Sequence, residues 1–190
     1  MRRIITTTWI TLDGFIAGSD NAMDWVMVDQ DMGQYEDAIV SAADTLLLGR
    51  VTYESFAGSW PRVPDNPDAS EGEREYARKL NALRKVVFSK TLPSADWNNS
   101  TLLREIEPAE IEKMKQEPGR DMLIYGSASV VRALINHGLI DEYQLLVHPV
   151  ILGAGKPLFQ DITEKQSLEL VKTKPFPSGV MGLYYRPRGN

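Results

Sequence analysis

The chain has 190 residues, 43% of them hydrophobic and 25% charged, with a net charge of −5. That suits one compact domain with a sizeable core and argues against a nucleic-acid partner, which calls for a basic face. The absence of cysteine excludes disulfides, thiolate metal sites and a cysteine nucleophile. No apolar run reaches membrane-spanning length, and MRRIITTTWITLDGF lacks the organisation of a signal peptide. A cytoplasmic location without membrane contact is therefore the expectation.

Residues 3–12, rich in Ile and Thr, predict a strand that Asp13-Gly14 breaks. A loop through Gly18-Ser19-Asp20-Asn21 follows. Asp31 to Ala43 has helical spacing, with Met32, Tyr35, Ile39 and Ala42 near one face. Thr45 to Leu48 is a short buried strand, and Arg50 to Phe56 a short helix. Three prolines make Pro61 to Pro67 a loop. Glu71 to Leu83 is a charged amphipathic helix. Lys85 to Ser89 and Thr101 to Arg104 are strands, and Pro108 to Gln116 is a helix with proline at its start. Leu123 to Tyr125, Ser129 to Asn136 and Glu142 to Val150 read as strand, helix and strand. Leu168 to Lys174 and Val180 to Arg186 form a hairpin across Pro175 to Gly179.

Early strands alternate with helices, which implies parallel pairing by crossover, whereas the last two imply an antiparallel edge. The expected fold is one α/β domain over residues 1–190: a mixed, mostly parallel sheet with helices on both faces and an antiparallel C-terminal hairpin. In such sheets ligands bind beyond the carboxyl ends of the strands. Three of those ends carry anion-binding chemistry. Gly126-Ser127-Ala128-Ser129 hands a strand to a helix, whose first N–H groups are unpaired and partly positive. Gly49-Arg50-Val51-Thr52 sets an arginine at a helix start, as a phosphate fork or as a solvated side chain. Ser89-Lys90-Thr91 adds a cation and hydroxyls, or is a polar turn. Together they suggest a multi-phosphate ligand such as a dinucleotide.

Neither GxxxxGK[ST] nor GxGxxG after the first strand is present, so a P-loop and a conventional Rossmann site are out. Gly153-Ala154-Gly155-Lys156 is a flexible turn or a ligand-facing loop. The two histidines, His137 and His148, have no metal-ligand spacing, and His148 reads as structural; no metal is expected. No GxSxG elbow anchors a serine hydrolase. Asp13, Asp24, Asp29 and Asp31 are loop or capping acids, one of which is a candidate proton donor. Trp25 and Trp60, both in predicted loops, are the tryptophans to test as substrate stackers.

The segments TLDGFIAG (Thr11–Gly18), LLLGRVTYESF (Leu46–Phe56), VVFSKTL (Val86–Leu92) and IYGSASVVRALINHGLIDEYQLLVHPVILGAGKPLF (Ile124–Phe159) resemble the dihydrofolate-reductase-like superfamily. More narrowly, they resemble a stand-alone form of the C-terminal reductase domain of the bifunctional riboflavin-biosynthesis protein. The resemblance implies NADPH as cofactor. Arg50, Val51 and Thr52 would lie beside its phosphates, with Gly49 in the same turn. Ser89 and Lys90 would lie near its 2′-phosphate, Gly126 to Ser129 at the pyrophosphate, and Ile16, Ala17 and Gly18 near the nicotinamide. It also implies a homodimer and a small pteridine, pyrimidine or ribose-phosphate substrate. Ser127 stands where the family pattern has a second glycine. The family's acid after a tryptophan falls near Gln30, flanked by Asp29 and Asp31. Asp13 leads as the polar group on the substrate side, followed by Asp31 and Asp29. The alternative is a nucleotide- or flavin-binding protein of this fold without turnover.

Overall fold

The computed structural model describes residues 1–189. Its main sheet has eight strands in the order β5-β4-β3-β6-β1-β7-β10-β9. These are β1 (Ile4–Thr11), β3 (Ala43–Gly49), β4 (Arg84–Phe88), β5 (Ser100–Leu103), β6 (Asp121–Tyr125), β7 (Glu142–His148), β9 (Leu168–Pro175) and β10 (Met181–Pro187). All pairings from β5 through to β7 are parallel; β10 runs antiparallel to β7 and to β9. The helices are α1 (Gln30–Ala42), α2 (Arg50–Ser59), α3 (Glu71–Ala82), α4 (Pro108–Gln116) and α5 (Ala128–Asn136).

Alternation along the strands builds two cores. Leu46, Leu48, Val87 and Leu123 face Val40 of α1, Tyr53 of α2 and Leu80 of α3. Leu47, Val86, Met122 and Ile124 face Ile111 of α4 and Val130, Val131 and Leu134 of α5. Period-two alternation thus feeds both faces of a sheet covered on both sides. The expected α/β architecture, with its antiparallel hairpin at one edge, is what the chain adopts.

Two expectations need correction. Residues 61–67 are not a plain loop, because Trp60–Asp65 form a 3₁₀ turn with Pro61 at its start. Proline's fixed φ suits that position and its missing N–H costs nothing there. The segment after Asp13-Gly14 contains a strand, β2 (Phe15–Ala17), which pairs antiparallel with β8 (Lys156–Pro157). Lys156 is therefore part of a small second sheet, with Gly155 just before it, rather than in a free turn.

The amino edge of the main sheet is laced with ion pairs. Arg2, 6% exposed, bridges Asp44 and Glu117 and donates to Thr45 Oγ1 at 2.7 Å and to the Arg120 carbonyl at 2.8 Å. Lys115 meets Asp141 at 2.7 Å, and Arg186 meets Glu142 at 3.0 Å. The carboxyl edge is left to turns and helix starts.

Candidate active site

The starts of α2 and α5 sit side by side at the carboxyl edge. Neither carries a side-chain cap, whereas α1 is capped by Asp29 and α3 by Ser70 in a capping box. First-turn amides without a cap remain available to an anion. Ser127 braces the two turns: its Oγ accepts the Gly49 N–H at 2.8 Å and donates to Thr52 Oγ1 at 2.8 Å. The serine in place of a second glycine thus joins the β3–α2 turn to the β6–α5 turn. It also takes the Gly49 amide out of the set facing a ligand. Gly126, at φ +70°, occupies the left-handed region that glycine tolerates, although a Cβ there would meet nothing within 4 Å. Ser129 Oγ would lie 3.1 Å from a Cβ at Gly49, so a side chain there would have to push that hydroxyl aside by a few tenths of an ångström. Gly49, Thr52 and Gly126–Ser129 are therefore brought together. Replacing Ser127 with alanine should cost about 1–2 kcal/mol, because the buried Gly49 amide loses its acceptor. Urea unfolding measures it, and an unchanged midpoint would mean that the brace contributes nothing.

The other anticipated residues are more scattered. Arg50 is half-exposed and pairs with Glu54 at 2.8 Å across one helical turn. Val51 is exposed. Lys90 is exposed and meets Glu105 at 2.7 Å. Ser89 is buried, and its Oγ accepts the amides of Thr91 and Leu92, so the hydroxyl holds its own turn. Ile16 and Ala17 lie in β2, and Gly18, just after it, donates to the Ala22 carbonyl. Trp60 packs edge-on against Phe56 and Tyr76.

Two of the three candidate acids are structural acceptors. Asp13 takes the Thr11 hydroxyl at 2.7 Å and the amides of Leu152 and Gly153, clipping the turn after β1 to the segment after β7. Those bonds, that from Thr11 foremost, hold its carboxyl below the usual range. Asp29 caps α1 through the Met32 amide and accepts the Ser178 amide, both at 2.8 Å, and it too is held low, chiefly by Ser178. Asp31 is exposed in the first turn of α1.

One carboxyl went unnoticed in the sequence. Glu36, 7% exposed, accepts the Trp9 indole N–H at 2.9 Å through Oε1, while its Oε2 is buried with no partner. Burial pushes this acid up to about 7, against the smaller opposing pull of Trp9. The signal was available: Met32, Glu36 and Val40 are spaced by four residues, so Glu36 lies in the apolar stripe of α1. His148, fully buried, also meets Trp9, edging the rings of Trp9 and Trp25 at 6.3 and 5.1 Å between centroids. Trp25 is thus a buried neighbour of His148 rather than an open stacking platform. Tyr35 extends the polar seam, donating to Gln144 Oε1 at 2.6 Å.

Among the described residues, no group of three or more His, Asp or Glu side chains could hold a metal, and no helix is long and apolar enough to cross a membrane. What the geometry offers is a phosphate-sized anchor of paired helix starts with a buried acid on the α1 face of the same sheet. That arrangement suits an anionic ligand at the carboxyl edge of an α/β sheet.

Comparison with known proteins agrees. Residues 2–181 match the model of the RibD C-terminal domain, and the chain belongs to that reductase-like family. It is 39% identical over 188 residues to the uncharacterized protein YyaP of Bacillus subtilis, covering 99% of this chain and 96% of that one. A putative riboflavin biosynthesis protein from Shewanella sp. PV-4 superposes with a TM-score of 0.77 at 19% identity, covering 98% and 99% of the two chains. A diaminohydroxyphosphoribosylaminopyrimidine deaminase/5-amino-6-(5-phosphoribosylamino)uracil reductase from Thermotoga maritima superposes with a TM-score of 0.67 at 14% identity; the match covers 98% of this chain and 57% of that one. These last two likenesses are of fold.

Proposed function

We propose that this chain is an NADPH-dependent reductase acting on a small pteridine, pyrimidine or ribose-phosphate compound, resembling 5-amino-6-(5-phosphoribosylamino)uracil reductase. The observation that carries the reading is the pair of uncapped helix starts braced by Ser127, in a chain of the RibD C-terminal domain family. The amides of Val51, Thr52, Ala128 and Ser129 would hold the pyrophosphate. Arg50 and Lys90 would leave Glu54 and Glu105 to meet the further phosphate charge. Ile16, Ala17 and Gly18, pinned by the β2–β8 pairing, would border the nicotinamide. When bound, the cofactor supplies the hydride. The chain's part is to orient the reacting groups and to exclude water. Asp13 acts there as the clip that fixes the approach loop, and Glu36 holds a proton near neutral pH. The reading includes a homodimer, supported by the exposed Leu170 and Val171 on edge strand β9, and a cytoplasmic setting.

NADPH should raise the melting temperature by roughly 5 °C at a hundredfold excess over its Kd, and NADH by clearly less. Arg50→Ala should shrink the difference. Equal shifts for the two cofactors, or none, would remove Arg50 and Lys90 from the site. Because Asp13 and Asp29 are both spent as structural acceptors, a second reading is binding without turnover. Tight NADPH binding with no oxidation across pterins, aminouracil ribose phosphates and flavins would favour it.

A further inference from the structure

A cleft of about 820 Å³ lies outside the anion anchor, between α2 and residues 92–98, the segment that links β4 to β5. That volume is in the range of small-molecule sites. None of the residues assigned above to the cofactor lines it. Its floor is apolar: Tyr53, Leu92 and Trp97 are buried in the core beneath α2 and α3, at 4%, 8% and 7% exposure. Its rim is acidic: Glu54 and Asp96 are exposed, and no lysine or arginine lines the cleft. Lys85, fully buried, stands over the Trp97 ring outside the cleft, and its ammonium donates to the carbonyls of Asn81 and Asn98 at 2.6 and 3.1 Å.

Two further features mark the cleft as a place for a ligand. The Tyr53 hydroxyl accepts the Trp97 amide at 2.9 Å, a bond that leaves its own proton to give. Gly58, on the α2 wall, has open space where a Cβ would stand. A glycine inside a helix gives up stability; here it keeps the wall low.

Glu54 ties this cleft to the anchor. Its carboxylate lines the cleft and holds Arg50 at 2.8 Å, one turn back on α2. Arg50 sits at the positive end of its helix, where a cation is disfavoured, so Glu54 is its local support. An exposed i,i+4 pair is weak and readily exchanged. A cation carried on an apolar body that fills the floor faces two carboxylates of one cleft and displaces Arg50 from Glu54. We propose that the cleft is a regulatory site for an organic cation, an amidine or amine on a flat apolar body, whose binding releases Arg50 toward the anchor. By reciprocity, a phosphate that takes Arg50 leaves Glu54 to the cation, so each ligand tightens the other. The link to the cofactor rests on the reductase reading; the cleft's binding chemistry does not.

The test uses the intact chain with three probes of one shape: benzamidinium, benzamide and benzoate. Calorimetric titration should show benzamidinium binding about tenfold more tightly than benzamide, the difference expected of charge-assisted bonds, and benzoate not binding. Glu54→Gln keeps the shape and removes the charge; it should weaken benzamidinium about fivefold and leave benzamide unchanged. Gly58→Leu puts a side chain into the cleft and should abolish binding of both, and leucine suits the helix. Saturating benzamidinium should tighten NADPH about threefold, leave NADH unchanged, and lose this effect in Glu54→Gln. Equal affinity for benzamidinium and benzamide, or unaltered binding in Gly58→Leu, overturns the proposal. So does failure of all three probes with a protein whose melting temperature still responds to NADPH, which leaves the reductase reading standing. Cation binding through Glu54 in a protein that answers to neither cofactor supports the cleft and sinks the reductase reading. Cation binding that leaves NADPH affinity unmoved overturns the regulatory role.

Discussion

Replacing Glu36 with glutamine should stabilise the protein at pH 8 by about 3 kcal/mol relative to wild type and leave it nearly unchanged at pH 4. The sign follows from the direction of the shift. The folded state holds the carboxyl near 7, above its ordinary value of 4.5, so between those values the folded chain binds more protons than the unfolded one. Stability from this group is complete below about 4.5 and declines as pH rises through 7. Glutamine keeps the shape and the acceptor for Trp9 but has no proton to lose. Urea unfolding of both proteins at each pH gives the difference directly, and titrations elsewhere cancel in it. A difference that stays flat from pH 4 to 8 would show that Glu36 ionises as an exposed carboxylate does.

Gly155→Ala is expected to cost about 3 kcal/mol. A Cβ at Gly155 would lie 2.3 Å from the Ala17 carbonyl oxygen and 3.3 Å from the Phe15 side chain. The first contact is with backbone and has no rotamer to relieve it. The β2–β8 pairing must part, and with it the bond from the Leu158 amide to the Gly14 carbonyl at 3.1 Å. Leu158 is fully buried in the main core, so the damage passes beyond the surface sheet. If Ile16 to Gly18 border the nicotinamide, the NADPH-induced rise in melting temperature should shrink as well. Gly33→Ala is the control. It sits in α1 with open space around it, so alanine should gain up to about 1 kcal/mol from helix propensity. Equal midpoints for Gly155→Ala and wild type would disprove the close approach.

Much of the architecture was legible because long elements repeat their signal. A proline start marks α4 at Pro108–Gln116, and the apolar runs around Leu47 and Ile124 mark buried strands. β2 and β8 were not legible. A strand of three residues and one of two carry no period, and their pairing joins segments far apart in the chain. The site divides the same way. Gly126 to Ser129 was visible as a small-residue turn between strand and helix. That Ser127 would spend its hydroxyl on Gly49 and Thr52 depends on a contact across more than seventy positions. The Arg50–Glu54 pairing was implicit in i,i+4 spacing, whereas the Lys90–Glu105 pairing was not. Glu36 shows a limit of reading stripes by hydrophobicity: a lone acid inside an apolar face looks like an interruption until its partner Trp9 is seen.

The ion pairs along the amino edge bear on how this fold changes over generations. Arg2, Lys115 and Arg186 fasten the strand starts by contacts that involve none of the turns at the opposite edge. Exposed positions of those turns that make no close approach of the kind Gly155 makes, Val51 among them, can therefore change while the amino edge keeps its fastening. Descendants of such a chain are free to vary those turns by small steps, each passing through a folded ancestor.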